Sequence, residues 1–299
     1  MDEPGFTRLA NARVGIVGIG LMGGSLTLAL AGANACREII GVDSDSNALA
    51  FAQSHSIVHR TANFDSALAD SDILILATPV RAILSQLHYL SRLSLTQPPA
   101  GDVSRLTLLD LGSTKSAIVA AMKDLPEHFD PIGGHPMCGK EVSGIEHATA
   151  DLYRGKTFVI TPLERTSPKV IALAHELINA IGAVPLILDA EMHDAYAAAI
   201  SHLPYAVSVA LMRAALAADD ERLWQMAASG FRDATRLAAS DLMMMTDILL
   251  TNRAAVLGAL ARFRSELDAL TVAIEFGDAS VLRAALESAQ SKRSEMFKQ

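Results

Sequence analysis

A chain of 299 residues, of which 51% are hydrophobic, is long enough to bury two cores, and we therefore expect two domains. The formal net charge of −8 disfavours a broad attraction to nucleic acids or anionic membranes, so we expect a small-molecule partner instead. Two cysteines, Cys36 and Cys138, are too few for a disulfide framework or a zinc-type motif, so no metal is expected and a reducing compartment fits.

The first half of the chain alternates short apolar runs with helical patterns. We predict strands at residues 14–17, 39–42, 73–77, 106–109, 157–160 and 184–188. The first two strands are each followed by a predicted helix, at residues 22–31 and 47–54. Apolar runs without polar alternation are typical of parallel strands covered on both faces. This order predicts an α/β fold, a Rossmann-like doubly wound parallel sheet with right-handed crossovers.

The composition changes after residue 165, and we place the domain boundary there. Residues 162–168 contain two prolines, and beyond them only residues 184–188 have the pattern of a strand. The remaining sequence is rich in Ala, Leu and Met, with charges spaced as on packed helices. We therefore predict a dinucleotide-binding domain over residues 1–165 and an all-helical domain over residues 166–299.

Two stretches bear on the location of the protein. The most apolar one, residues 195–218, is interrupted by His202, Pro204 and Arg213, so we expect a buried helix and no membrane span. The amino-terminal segment lacks the basic and apolar regions of a signal peptide. A cytoplasmic protein is expected.

A glycine-rich motif, GIGLMGGS, occupies residues 18–25, directly after the first predicted strand. Gly18 permits a tight turn, Gly20 lets the backbone approach a pyrophosphate, and Gly23 lets the helix pack closely on the strand. Leu21 and Met22 lie at the amino terminus of that helix, where phosphates bind. The alternative is a glycine-rich turn in some other α/β protein. The order of strand, turn, helix and acidic residue favours dinucleotide binding.

The acidic residue of this motif is Asp43, at the end of the second predicted strand. A carboxylate there accepts hydrogen bonds from both ribose hydroxyls and repels a 2′-phosphate, which favours NAD over NADP. Alternatively, Asp43 caps the following helix, although Asp45 or Ser46 could do so instead.

Three segments follow later strands, where an open parallel sheet binds its ligand. Thr78 and Pro79 are expected beside the nicotinamide ribose, although Thr-Pro is also a common helix start. Residues 110–115, DLGSTK, place Ser113 at the mouth of the cleft, with a helix cap by Ser113 or Thr114 as the alternative.

The third segment, residues 133–144, is interpreted as a glycine-rich loop whose backbone can approach a ligand closely. His135 lies within it and is the best acid/base candidate of the chain, because imidazole titrates near working pH. Cys138 is interpreted as a small buried residue and not as a nucleophile.

Taken together, these motifs resemble those of the prephenate/arogenate dehydrogenase family, which acts in tyrosine biosynthesis. The resemblance covers almost the whole chain and rests on order and spacing. The motifs are GIGLMGGS at 18–25, DLGSTK at 110–115, GGHPMCGKEVSG at 133–144, HDAYAAAISHLPY at 193–205 and GFRDATRLAAS at 230–240.

The resemblance implies NAD-dependent oxidative decarboxylation of prephenate, an anionic substrate, and a homodimer formed through the helical domain. It implies that His135 accepts the substrate's hydroxyl proton, that Ser113 orients His135 or shares the hydroxyl, and that Arg236 binds a carboxylate. Supporting substrate-binding roles are implied for four further residues, Glu141, His193, Asp233 and Lys115. Asp233 and Arg236 are three apart on a predicted helix and are expected to pair.

The chain departs from the family pattern at two places. Tyr205 stands where many relatives have a second histidine, and residues 243–247 read MMMTD where many have a tryptophan. Because a phenol cannot carry the positive charge of histidine, recognition of the substrate's side chain is altered if Tyr205 binds it. The choice between prephenate and arogenate therefore stays open.

Two other functions fit parts of the sequence. A β-hydroxyacid dehydrogenase would join the same kinds of domain, but commonly uses a lysine from a later helix as its acid/base group. A non-catalytic NAD-binding sensor would bind NAD without turnover, and the set of His135, Ser113 and Arg236 disfavours it.

Overall fold

The computed structural model describes residues 8–93, 105–140 and 142–297. Its amino-terminal part is built on one mixed sheet. The strands are β1 (Arg13–Val17), β2 (Glu38–Val42), β3 (Arg60–Thr61), β4 (Ile73–Leu76), β5 (Leu106–Asp110), β6 (Phe129–Pro136), β7 (Thr157–Pro162) and β8 (Val184–Ile187). Their order in the sheet is β3-β2-β1-β4-β5-β6-β7-β8.

Most neighbouring strands in this sheet are parallel. Strands β1 to β6 run in one direction, with Val14 opposite Ile39 and Ile73 opposite Thr107. Strand β7 is antiparallel to β6, and β8 is parallel to β7. The first three strands are added toward one edge of the sheet. After β3 the chain crosses back, so that β4 lies beside β1 and the later strands are added toward the other edge. The predicted doubly wound, Rossmann-like sheet is confirmed, with a reversed pair of strands at one edge.

Helices cover both faces of the sheet. They are α1 (Leu21–Gly32), α2 (Ser46–Ser54), α3 (Phe64–Asp70), α4 (Val80–Ser91), α5 (Ser116–Lys123) and α6 (Pro168–Ala180). In β4, Ile73 and Ile75 join one apolar cluster with residues of α1 and α6, while Leu74 and Leu76 join the other with residues of α4 and α5. This two-sided burial explains why the strands read as continuous apolar runs.

The interpretation of residues 133–144 as a loop was wrong for its first four residues. Residues Gly133 to Pro136 form the end of β6, and His135 lies opposite Val159 of β7. A Cβ at Gly134 would lie 2.6 Å from the carbonyl oxygen of Asp110, so glycine is needed there for close approach to neighbouring backbone. The short strand β3 was also missed.

The remaining described chain is helical. A continuous helix runs from Ala190 to Leu216 and consists of α7 (Ala190–Ala197), a π-helical turn (Ala198–His202) and α8 (Leu203–Leu216). It is followed by α9 (Arg222–Gln225), α10 (Ser229–Thr235), a 3₁₀ turn (Arg236–Ala239), α11 (Leu242–Thr251), α12 (Arg253–Phe276) and α13 (Ala279–Met296).

The chain divides into two compact units, the first ending at Arg253 and the second beginning at Ala254. Strand β8 lies beyond the boundary predicted at residues 165 and 166, and it extends the sheet by pairing with β7. The boundary predicted from sequence stays a prediction.

By length and composition, the helix Ala190–Leu216 could cross a membrane. Its polar residues His193, Asp194 and His202 are nevertheless buried. Only 28% of its most apolar window is buried within the chain, so the expectation of a buried helix was wrong for most of its residues.

Candidate active site

The turn between β1 and α1 has the geometry of a dinucleotide-binding loop. Gly18 has a φ of +91°, and a Cβ there would lie 2.7 Å from Cγ2 of Thr78. A Cβ at Gly23 would overlap the carbonyl oxygen of Gly18. A Cβ at Gly20 would meet nothing within 4 Å, so open space lies beside the start of α1. Leu21 and Met22 form the first turn of that helix, whose free N–H groups attract anions.

Asp43 holds this turn in place. Its Oδ2 accepts a hydrogen bond of 2.9 Å from the N–H of Ile19, and its Oδ1 accepts one of 2.9 Å from the N–H of Asp45. The cap of α2 is Asp45, which accepts from the N–H of Asn47. The alternative in which Asp43 caps that helix is therefore wrong, and its carboxylate faces the glycine turn.

Thr78 and Pro79 follow β4 and precede α4, which begins at Val80. The methyl group of Thr78 would meet a Cβ at Gly18, so Thr78 borders the glycine turn, and its hydroxyl donates to Oε1 of Gln86 over 3.2 Å. Thr78 and Pro79 therefore precede a helix and also lie beside the glycine turn, so the two interpretations of this segment do not exclude each other.

Lys115 and Asp110 form an ion pair in the interior, and neither side chain is exposed to solvent. The Lys115 ammonium also donates to the carbonyl oxygen of Gly134 over 2.6 Å, while the Asp110 carboxylate accepts from the N–H groups of Gly112 and Gly134. Burial lowers the pKa of Lys115 and raises that of Asp110, each effect opposed by the partner. Such burial argues against the substrate contact expected for Lys115; the pair instead supports the strand that carries His135.

His135 lies half-buried at the end of β6 and contacts a second histidine from the helical part. Its Nδ1 is 2.8 Å from Nε2 of His193, and Nδ1 of His193 is 2.8 Å from Oδ1 of Asp194. Burial and the neighbouring His193 lower the pKa of His135 well below the usual value, which keeps the imidazole neutral near pH 7. His193 was expected to bind substrate, but both of its ring nitrogens have protein partners.

The carboxylate of Asp194 also caps α5. It accepts from the N–H groups of Lys115 and Ser116, at 2.7 and 2.8 Å. No side chain of the turn before α5 caps it, so the alternative of a cap by Ser113 or Thr114 is wrong. No role was predicted for Asp194 from the sequence. Its place directly after His193 in the HDAY motif was the available signal.

A third histidine, His202, lies in the π-helical turn and is buried. Its Nδ1 is 3.2 Å from Nδ2 of Asn252, which also donates to the carbonyl oxygen of Asp194 over 2.8 Å. Burial lowers the pKa of His202 to about 4, with His193 adding to the effect and Asp194 opposing it. The wide π turn is typical of functional regions of helices.

Ser113 is half-buried in the turn after β5. Among the described residues, its hydroxyl has no hydrogen-bond partner, and the partner of His135 Nδ1 is His193. Orientation of His135 by Ser113 therefore finds no support in this geometry, whereas sharing the substrate hydroxyl stays a prediction.

The other expected substrate residues lie around α8 and α10. Arg236 is exposed at the start of the 3₁₀ turn. In the same turn, the N–H of Ala238 donates to Oγ of Ser208 in α8 over 3.0 Å. Tyr205 is 8% exposed and packs with Met245, Ile248 and Leu237, the residue after Arg236.

Asp233 is exposed and its Oδ1 lies 3.6 Å from Nε of Arg232. Its expected pairing with Arg236 stays a prediction. Glu141 lies outside the described residues.

Within the ranges given above, no cluster of three or more His, Cys, Asp or Glu side chains could hold a metal ion. Cys138 is half-buried, and burial raises the pKa of its thiol to about 11, so the thiol stays protonated near pH 7.

Comparison with known families accounts for both halves of the chain. Residues 27–187 match the family model described as prephenate dehydrogenase, nucleotide-binding domain, and residues 189–288 match its dimerization domain. The chain belongs to the prephenate dehydrogenase family.

Individual family members are similar over most of their length. Prephenate dehydrogenase of Bacillus subtilis is 32% identical over 284 residues, which cover 93% of this chain and 74% of the relative. A solved prephenate dehydrogenase from A. aeolicus, in complex with hydroxyphenyl propionate and NAD+, has a TM-score of 0.86 at 30% identity and covers 95% of this chain and 98% of its own. Synechocystis arogenate dehydrogenase has a TM-score of 0.80 at 29% identity, with 95% of this chain and 100% of that chain covered.

Proposed function

We propose that this chain catalyses the NAD-dependent oxidative decarboxylation of prephenate to 4-hydroxyphenylpyruvate, a step of tyrosine biosynthesis. The observation that carries the proposal is the contact of His135 with His193, which joins the end of a sheet strand to the helical part. A neutral histidine held in this way is suited to accept a proton from a substrate hydroxyl. The family's named activity and the relative that binds NAD+ and a hydroxyphenyl compound support the assignment.

The chain offers a fitting site for NAD. The open space at Gly20, the start of α1 and the Asp43 carboxylate suit the pyrophosphate and the ribose hydroxyls, with Thr78 and Pro79 beside the turn. When bound, NAD accepts a hydride from the ring carbon that bears the hydroxyl.

The protein's own residues manage the proton and the substrate's charges. His135 takes the hydroxyl proton as the hydride leaves, and the proton returns to oxygen when CO2 is lost and the ring becomes a phenol. Ser113 forms a hydrogen bond with the same substrate hydroxyl. Its side chain lies in the turn after β5, at the edge of the sheet where ligands bind. Arg236 binds a substrate carboxylate through its planar guanidinium group. Alignment of these groups is the main requirement, because aromatisation drives the step.

Arogenate is the second candidate substrate. Tyr205 carries no positive charge, and the similar Synechocystis protein is an arogenate dehydrogenase. Prephenate and arogenate differ at their side chain, so a residue that contacts this side chain decides between them.

We further propose a cytoplasmic homodimer in which the sheet part binds NAD and the helical part binds substrate and the second copy. The match to a dimerization domain supports this assembly. In the second compact unit, several large apolar side chains are exposed, and a second copy of the chain would cover them. They include Leu257, Leu267, Val272, Ile274 and Phe276.

The direct test is an assay of purified protein with prephenate or arogenate, each with NAD and with NADP. We expect NADH and 4-hydroxyphenylpyruvate from prephenate, with NAD preferred over NADP. Folded protein that forms no reduced cofactor from either substrate would contradict the proposal. A faster reaction with arogenate would transfer the assignment to that substrate.

A further inference from the structure

We propose that His193 and Asp194 act as positioning residues that hold His135 in the tautomer with a proton on Nδ1 and a free lone pair on Nε2. The inference deepens the proposed function, on which its catalytic consequence rests. The hydrogen-bond geometry itself is independent of any substrate.

The Asp194 carboxylate determines the tautomer of His193. The backbone N–H groups of Lys115 and Ser116 donate to it over 2.7 and 2.8 Å, and Nδ1 of His193 lies 2.8 Å from its Oδ1. Burial opposes its ionisation, but the hydrogen bonds from His193 and Ser116 outweigh burial and lower its pKa. An ionised carboxylate only accepts hydrogen bonds, so Nδ1 of His193 must carry a proton.

The proton on Nδ1 of His193 determines which nitrogen of His135 carries a proton. A neutral His193 with Nδ1–H has a lone pair on Nε2, 2.8 Å from Nδ1 of His135. Two lone pairs at this distance would repel each other, so His135 donates from its Nδ1. The opposite assignment would set the lone pair of His193 Nδ1 against the Asp194 carboxylate and is excluded.

In the part of the chain that the structure describes, Nε2 of His135 has no hydrogen-bond partner, so this tautomer leaves that nitrogen able to accept a proton. When the substrate's O–H bond breaks, an Nε2–H bond forms on His135, and Nδ1–H continues to donate to His193. The proton later returns to the substrate oxygen, so His135 ends unchanged. The charged and titratable groups facing His135 are His193, Lys115, His202 and Asp194, and of these Asp194 favours the imidazolium.

Asp194 also links the histidine pair to helix α5. The same carboxylate that fixes His193 caps α5, directly after the turn that carries Ser113. One side chain from the helical part thereby contacts both His193 and the start of α5.

The first experiment is NMR of the protein with ¹⁵N-labelled histidines, in which two-bond proton–nitrogen couplings identify each tautomer. We expect Nδ1–H on both His135 and His193 in the wild-type protein. An Nε2–H tautomer of neutral His135 would overturn the proposal, whatever the activity.

Asp194→Asn supplies the matching variant. Its uncharged amide no longer requires a proton on His193 Nδ1. With the amide nitrogen toward His193, where it opposes the N–H of Lys115, the protons of both histidines would move to Nε2 and block proton acceptance. We expect kcat to fall by about 10³-fold or more with little change in KM, as for other bases held in the wrong tautomer. Wild-type kcat in a variant whose His135 carries its proton on Nε2 would overturn the proposal.

Two further variants separate positioning from folding. Asp130→Asn changes another buried carboxylate that accepts a backbone N–H, from Ser167 over 3.0 Å, and should leave the histidine tautomers unchanged. His193→Gln retains an oxygen that can accept from His135, whereas His193→Leu does not. We therefore expect His193→Gln to retain at least 10-fold more of kcat than His193→Leu, and equal losses would overturn the proposal.

The outcomes distinguish a failure of the proposed function from a failure of the tautomer assignment. Wild-type protein with the expected tautomers but no turnover of prephenate or arogenate would defeat the proposed function and leave the hydrogen-bond relay standing. Turnover with the opposite tautomer would do the reverse.

Discussion

The ammonium of Lys115 contacts the carboxylate of Asp110 where neither side chain reaches solvent. Removal of one member leaves a buried charge without its counter-ion, which typically costs about 3–5 kcal/mol. We therefore expect Lys115→Ala to lower the free energy of unfolding by about this amount, measured by urea denaturation. The double variant Lys115→Met, Asp110→Asn removes both charges and should recover part of the loss. A loss below about 1 kcal/mol for Lys115→Ala would show that the pair does not stabilise the fold.

Two glycines of the β1–α1 turn should respond differently to alanine. At Gly23 the new Cβ would overlap the Gly18 carbonyl oxygen, so Gly23→Ala should lower both Tm and NAD affinity. At Gly20 the Cβ meets no atom within 4 Å, so Gly20→Ala should leave Tm within a few degrees and weaken NAD binding alone. Thermal melts with and without NAD, together with calorimetric titration, test this. Equal NAD affinity in Gly20→Ala and wild type would remove Gly20 from the pyrophosphate site.

Stability should fall in acid because His202 is buried in its neutral form. Its pKa in the fold is about 4, below the ordinary value of 6.5, so the unfolded chain binds a proton that the fold does not. The stabilisation is present above pH 6.5 and is lost as the pH falls to about 4, with a total of about 3 kcal/mol. Urea denaturation between pH 7 and pH 4 should show a shallower loss for His202→Gln than for the wild type. Parallel curves would contradict the burial of a neutral imidazole.

Substitutions of His135 and Arg236 should separate turnover from substrate binding. His135→Asn removes the proton acceptor, so kcat should fall by about 10²-fold or more while KM changes little. Arg236→Gln removes a charged hydrogen bond to a carboxylate, so KM should rise by about 10-fold or more. Initial rates give kcat and KM for both variants, and NAD titrations show whether either substitution changes cofactor affinity. Loss of NAD binding by Arg236→Gln would contradict a role at the substrate.

Tyr205 provides a test of substrate choice. A histidine cation at this position would attract the anionic side chain of prephenate and repel the ammonium group of arogenate. We expect Tyr205→His to raise the ratio of kcat/KM for prephenate to that for arogenate, most strongly below pH 6.5. Tyr205→Phe retains the packing on Met245 and Ile248 and serves as the control. An unchanged ratio in Tyr205→His would mean that this side chain does not contact the substrate.

Much of the sheet could be predicted because burial on both faces leaves a local signal. In β4, alternate residues enter opposite apolar clusters, so the strand has no polar position and its bounds follow from hydrophobicity alone. The end of β6 gave no such signal. Gly133, Gly134 and Pro136 are unusual in strands, and glycine is required there by the approach of the Asp110 backbone, which the sequence does not reveal.

The site was predicted only as far as single motifs allow. His135 could be chosen from its setting and from the family resemblance, but its partner His193 lies 58 residues further along the chain. Lys115 was expected in the cleft because it follows a predicted strand and matches a family motif, whereas the structure buries it against Asp110. Contacts of this kind depend on tertiary packing and not on local pattern.

The π-helical turn Ala198–His202 has a geometric consequence for the whole helix that contains it. In an uninterrupted α-helix, His193 and Tyr205 would point in directions about 120° apart, since each residue turns the chain by about 100°. One residue accommodated in the wider turn removes about 100° of rotation and brings both side chains to nearly one direction. The direction of Tyr205 relative to His193 is thus set by the number of residues between them. Loss of a single residue there would rotate everything beyond it, an effect that no exchange of side chains can reproduce.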